Sequence, residues 1–191
     1  VYKHSIMERG DGDHFTIWVD RSFTPAEGPD EDPKQFEKRQ GARLFGGSGF
    51  IRNGSGSLCR NHNMWSITGS SSPFSGGALA IARWGDNNRG EWTWANDGRK
   101  RFLVVGGSNG GRNARYIAGS KNLGSGEYGG IGSRDMAHNA WKTYNDFARQ
   151  YNGQWRAAAK GTMTCDTIIP GNLFPTVRTF SWELVSTPTR V

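Results

Sequence analysis

Of the 28 glycines in this 191-residue chain, 22 lie between Gly41 and Gly132. Glycine tolerates left-handed backbone and close approach, so such a density favours short strands joined by many turns. The same window holds four of the eight tryptophans, and its Lys and Arg outnumber its Asp and Glu. Trp and Arg are the side chains most used to grip a partner. The first expectation is therefore a basic, aromatic, loop-rich surface carried on short strands.

The length fits one domain spanning 1–191, with room for a real core. Apolar content is only 35%, but 23 aromatic residues supply large buried areas. The net charge of +7 is unevenly spread, with residues 1–40 at −3 and the remainder at +10. A basic body favours polyanions such as acidic polysaccharide, phosphorylated glycolipid or nucleic acid. Cys59 and Cys165 can form one disulfide or remain two thiols. With no CxxC pair and no Cys/His cluster, neither a metal nor another cofactor is expected. No apolar run reaches the ~20 residues of a helical membrane span.

Alternation of Phe15, Ile17 and Val19 against Thr16, Trp18 and Asp20 predicts a strand at His14–Asp20. Three prolines and a charge run then predict an exposed acidic excursion at about 25–40. Further strands are predicted at Ala42–Ile51, Ser57–Thr68, Gly77–Trp84, Glu91–Ala95 and Arg101–Val105, the last three as a meander. Gly85–Gly90 reads as a hairpin loop and Asn96-Asp97-Gly98 as a tight turn. Gly106–Gly132 reads as long loop. Ser133 and Asp135 open an amphipathic helix at about 134–151. Its stripe is Met136, Ala140, Trp141, Tyr144, Phe147, Ala148 and Tyr151, and Gly153 closes it. Two final strands, Thr162–Ile169 and Val177–Val185, complete the pattern. The expected fold is mainly β, an antiparallel sandwich or jelly roll with glycine-rich loops and one packed helix.

Leu103–Gly111 runs from a strand into glycines, but no P-loop Lys-Ser/Thr follows, so a glycine-rich loop is the stronger reading than a nucleotide site. Arg9-Gly10-Asp11 and Asp11–His14 read as a polar turn rather than an integrin ligand or a calcium loop. Glu91, Asp97, Glu127 and Glu183 are the acids near the aromatic strands, and paired carboxylates cleave glycosides, yet no spacing fixes a pair. His4, His14, His62 and His138 form no HxH or HExxH pattern. The candidate ligand-binding set is Trp84, Asn87, Asn88, Arg89, Trp92, Trp94, Asn96 and Arg99. Aromatic faces stack on sugar rings, and Asn and Arg at loop tips pair with hydroxyls or acidic groups. The competing reading puts Trp92 and Trp94, which share a strand face, in the core.

Gly46-Gly47-Ser48, Asn53–Gly56 and Cys59-Arg60-Asn61 resemble a glycine-, asparagine- and serine-rich segment of C-type-lectin-fold proteins in phage receptor-binding modules. Gly90–Gly98 looks like their WxWxDG stretch with Asn96 inserted, although here the clear helix follows that stretch instead of preceding it. Thr162–Gly171 with Val177–Leu184 resembles the last hairpin of phage tail-fibre tip domains. The resemblance implies a non-enzymatic receptor-binding or adhesin domain, extracellular or on a virion, that recognises neutral or acidic surface glycan. By analogy it also implies a homo-oligomer such as a trimer. Two alternatives stand beside it: a viral coat-type jelly roll contacting nucleic acid, and a secreted polysaccharide-cleaving enzyme.

Overall fold

The computed structural model describes residues 2–8, 14–19, 50–94, 101–107, 113–120, 122–171 and 174–187. The acidic excursion, the Arg9–Asp11 tripeptide, all but the end of the Ala42–Ile51 segment, the Asn96–Gly98 turn and the last four residues of Leu103–Gly111 lie outside these residues. The elements run β1 (Tyr2–Glu8), β2 (His14–Val19), β3 (Phe50–Arg52), β4 (Cys59–Ser66), α1 (Ser75–Asn87), β5 (Gly90–Trp94) and β6 (Arg101–Gly106). They continue with β7 (Asn113–Gly119), β8 (Tyr128–Gly132), α2 (Ser133–Phe147), β9 (Arg149–Tyr151), β10 (Gln154–Arg156), β11 (Ala159–Ile168) and β12 (Thr176–Thr187).

Ten strands join in one antiparallel sheet, ordered β1-β2-β6-β7-β12-β11-β8-β5-β3, with β4 added to β11. The sheet curls into a half-barrel, and the two helices pack together against it. The mainly β, antiparallel expectation holds. Where two facing sheets and one helix were expected, the described residues form one large curled sheet, a β9–β10 hairpin and two helices. One strand makes the curl possible. β11 pairs with β12 along one edge, while its other edge is divided between β4 (Ala159–Cys165) and β8 (Thr167–Ile168).

The segment expected as a strand at Gly77–Trp84 is helical, as is the first half of the expected Gly85–Gly90 hairpin loop. Ala78, Ala80, Ala82 and Trp84 mimic a period of two, but Ile81 and Gly85 are buried as well, which only a helix stripe accommodates. Alanine is the best helix former and is depleted in strands, so the composition of this segment favours the helix. The glycines let α1 sit close. A Cβ on Gly77 would stand 2.8 Å from the Gly106 carbonyl oxygen on β6.

The Gly106–Gly132 stretch is not simply loop, since it contains β7 and β8. The second helix appears where its periodicity placed it but stops at Phe147. Asn152 and Gly153, both with positive φ (49° and 77°), turn the β9–β10 hairpin rather than cap the helix. Cys59 and Cys165, directly opposed on β4 and β11, form a disulfide.

The core is aromatic. Phe50, Trp84 and Trp92 cluster with centroids 4.7–5.9 Å apart, Trp94 meets Phe180 edge-on, and Tyr116 stacks on Trp182. Each such ring buries roughly 150–250 Å² of surface, which lets a chain this poor in aliphatics close a core.

Candidate functional site

The residues expected to bind a ligand fall in different places. Trp84, Trp92 and Trp94 are at most 1% exposed and belong to the core, so the competing reading of the indoles is the one their packing supports. Asn87 is the exposed last residue of α1. Asn88 caps that helix, with both its backbone N–H and its Nδ2 donating to the Trp84 carbonyl (2.9 Å each). Arg89 is exposed, and its carbonyl accepts from the Asn53 amide. Asn96 and Arg99 lie outside the described residues, as does Asp97.

The three described acids are not brought together as a pair. Glu91 lies on β5 beside the Gly54-Ser55 turn, where burial raises its pKa and the Ser55 N–H (2.7 Å) partly offsets the rise. Glu183 is on the outward side of β12. Glu127 is sealed in a structural cluster, accepting from the Gly124 amide (2.6 Å), the Thr167 and Thr176 hydroxyls and Arg178 Nε (3.0 Å). Burial alone would raise its pKa, but these donors outweigh it and hold the carboxyl down at about 2. Glu127 thereby fastens the 124–127 loop to β11 and β12.

The informative strand is β4, which a bulge divides into two faces. Thr162 of β11 opposes Asn63 and Thr164 opposes Arg60, so Asn61 and His62 together oppose the single Met163. Asn61 takes a left-handed conformation (φ 53°) at this bulge, one that asparagine tolerates. Without the extra residue, His62 would share the outward face with Arg60. With it, His62 turns inward to α2 while Asn63 and Trp65 point out.

On the inward side, His62 Nδ1 lies 2.7 Å from Asn139 Oδ1, and Asn139 Nδ2 donates to the Tyr116 hydroxyl (2.7 Å) and towards Met163 Sδ (3.6 Å). The amide oxygen on His62 makes Nδ1 the donor and leaves the neutral ring's lone pair on Nε2. Burial pushes the Tyr116 phenol far above its ordinary value, so it stays neutral. One helical turn earlier, Asp135 Oδ2 accepts three backbone amides, from Leu58 (2.8 Å), Cys59 (3.1 Å) and Gly132 (2.9 Å). Burial raises the Asp135 pKa, and those amides together with the nearby imidazole of His62 work against the rise.

On the outward side, β4 presents Trp65, 52% exposed, at one end of a cross-strand row that continues through Lys160, Glu183 and Ile117. The next row is Asn63, Thr162 and Ser181, and the one after it is Arg60, Thr164 and Thr179. Arg60 is pinned to Asp166 (2.7 Å). Ile67 donates to the Ala158 carbonyl, which ties the end of β4 to the link between β10 and β11, and Trp155 on β10 is also exposed (56%). A broad hydroxyl-, amide- and charge-bearing sheet face with an exposed indole at its margin is suited to extended polar ligands.

None of His62, Asn139, Tyr116, Trp65 or Trp155 stood out in the sequence. The turn-prone Asn61-His62-Asn63 run was the one local signal of a bulge. Comparison with protein-family models, with curated proteins and with solved structures found no match to this chain.

Proposed function

We propose that this protein is a non-enzymatic binding domain for cell-surface glycan, carried by an extracellular assembly such as a phage tail fibre. The observation that carries the reading is the exposed Trp65 indole, seated at the edge of rows of Thr, Ser, Asn, Lys and Glu side chains on the outward sheet face. Indoles stack on sugar rings through their faces, while hydroxyls and amides on a stiff sheet match sugar hydroxyls at little entropic cost. A disulfide between β4 and β11 suits an oxidising, extracytoplasmic setting.

The ligand surface of this reading is outside the core, on the face that carries Trp65, instead of on Trp84, Trp92 and Trp94. A glycan array run beside binding to intact bacterial surfaces tests it. Enrichment of at least one glycan is expected, with Trp65→Ala weakening it tenfold or more while the fold is retained. No enrichment on either, or undiminished binding by a folded Trp65→Ala variant, rejects the reading.

A further inference from the structure

A second surface lies along the seam between β4 and α2. Arg134, His138 and Lys142 are all exposed and stand on successive turns of one stripe of α2. His62 reaches the stripe from β4, its ring 4.7 Å from that of His138. Arg89 joins from the link between α1 and β5. Its stem and that of Arg134 both lie across Gly56, where a Cβ would meet Arg89 Cγ and Arg134 Cδ at 3.3 Å each. Glycine at position 56 thus lets two arginines converge from segments 45 residues apart.

The charge of this convergence is not spent internally. Lys142 is paired with Asp146 (2.8 Å) and Arg60 with Asp166, but no ion pair or side-chain hydrogen bond joins Arg89 or Arg134 to another described residue. The nearest carboxylate on α2, Asp135, is buried and turned to the Leu58, Cys59 and Gly132 amides. Glu91, the carboxylate at the adjoining Gly54-Ser55 turn, accepts from the Ser55 amide (2.7 Å). Two arginine stems that converge on Gly56, neither ending in an ion pair with a described residue, offer guanidinium groups suited to bidentate contact with an oxyanion. The imidazole of His138 adds a donor one turn along.

We propose that Arg89, Arg134 and His138 form a subsite for the oxyanion substituent, sulfate, phosphate or carboxylate, of an acidic glycan. The inference rests on the glycan reading above and names the ligand class within it. Surface position and solvent access fit a group on a long chain that also reaches the β4 edge, whereas a small enclosed ligand would need walls on all sides.

Calorimetric titration tests the assignment with three probes of matched length: a sulfated polysaccharide, an uncharged polysaccharide and a single-stranded oligonucleotide. The intact protein should bind the sulfated chain at least tenfold more tightly than the uncharged one and than the oligonucleotide. Arg89→Gln combined with Arg134→Gln, which keeps much of both stems on Gly56, should remove that preference and leave uncharged-chain binding intact. A preference that survives in the folded double variant overturns the subsite, as does an oligonucleotide bound as tightly as the sulfated chain. Equal binding of the two polysaccharides overturns the subsite and leaves the glycan reading standing, whereas binding of neither overturns both.

Discussion

Gly85 of α1 and Ala137 of α2 mark the point where the two helices touch: a Cβ added at Gly85 would stand 2.9 Å from the Ala137 Cβ and 2.6 Å from the Ser133 carbonyl oxygen. Gly→Ala in a helix ordinarily gains about 0.8–1.0 kcal/mol from propensity. Here the obstruction is backbone, and overpacking costs about 1–3 kcal/mol. Gly85→Ala should therefore destabilise by about 1 kcal/mol or more, read as a lower urea midpoint at unchanged slope.

Glu127 should govern stability at acidic pH. Its folded pKa of about 2 is below its ordinary value of 4.5, so its contribution is complete above the unfolded value and is lost as pH falls from about 4.5 towards 2. Glu127→Gln should cost about 2–3 kcal/mol at neutral pH, because it weakens charge-assisted hydrogen bonds in a buried site. Denaturation midpoints measured from pH 7 to 2.5 should converge for the two proteins at the acid end; parallel curves would deny Glu127 this role.

His138 titrates in a different window. Partial desolvation of its ring, then the neighbouring His62 on β4 and Lys142 on its own helix, lower its pKa below 6.5. The folded state resists its protonation, so stability should decline as pH falls below about 6.5, before Glu127 contributes. The other charged groups near this pair are Arg134, one turn before His138 on α2, and the buried Asp135. Adding sulfate should raise the His138 pKa in an NMR titration if the oxyanion subsite is correct.

The bulge and the amide behind it make separable demands. Asn61→Gly should be nearly neutral because glycine accepts φ 53°, while Asn61→Val should cost about 1–2 kcal/mol and disturb the His62 orientation. Asn139→Leu leaves the Tyr116 hydroxyl and His62 Nδ1 without their partner and should cost about 1–3 kcal/mol. Nitrogen NMR on the parent protein should find neutral His62 as the Nδ1–H tautomer.

The disulfide closes a loop of 106 residues. Replacing both cysteines by alanine should cost about 2–5 kcal/mol, seen as a lower denaturation midpoint matched by the parent protein in reductant.

Strands with alternating or β-rich sequence were legible one at a time: β2, β4, β5, β6, β11 and β12 appear near their expected positions, as does α2. What misled was local ambiguity. Alanines at every second position of α1 fit either period, and the glycines of β7 and β8 concealed strands whose partners supply the order. The sites were less legible because they are products of register. His62 meets Asn139 across 77 residues, and Arg89 meets Arg134 only through Gly56. No spacing within a window of sequence encodes either meeting. The tryptophans drew attention by their number, yet burial separates Trp92 and Trp94 from Trp65, and burial depends on which strand face looks inward.

The divided edge of β11 also sets the tempo at which this chain can assemble. Its residues must find β12 nine positions away at Thr167–Thr176, β8 at a separation of 38 at Thr167–Gly129, and β4 at a separation of 93 at Ala159–Ser66. The first pairing is a local hairpin that forms in microseconds, but the last closes a loop of nearly half the chain before any contact repays the lost entropy. Folding should therefore take place in milliseconds to seconds, with the strand that carries Trp65 and His62 among the last to lock.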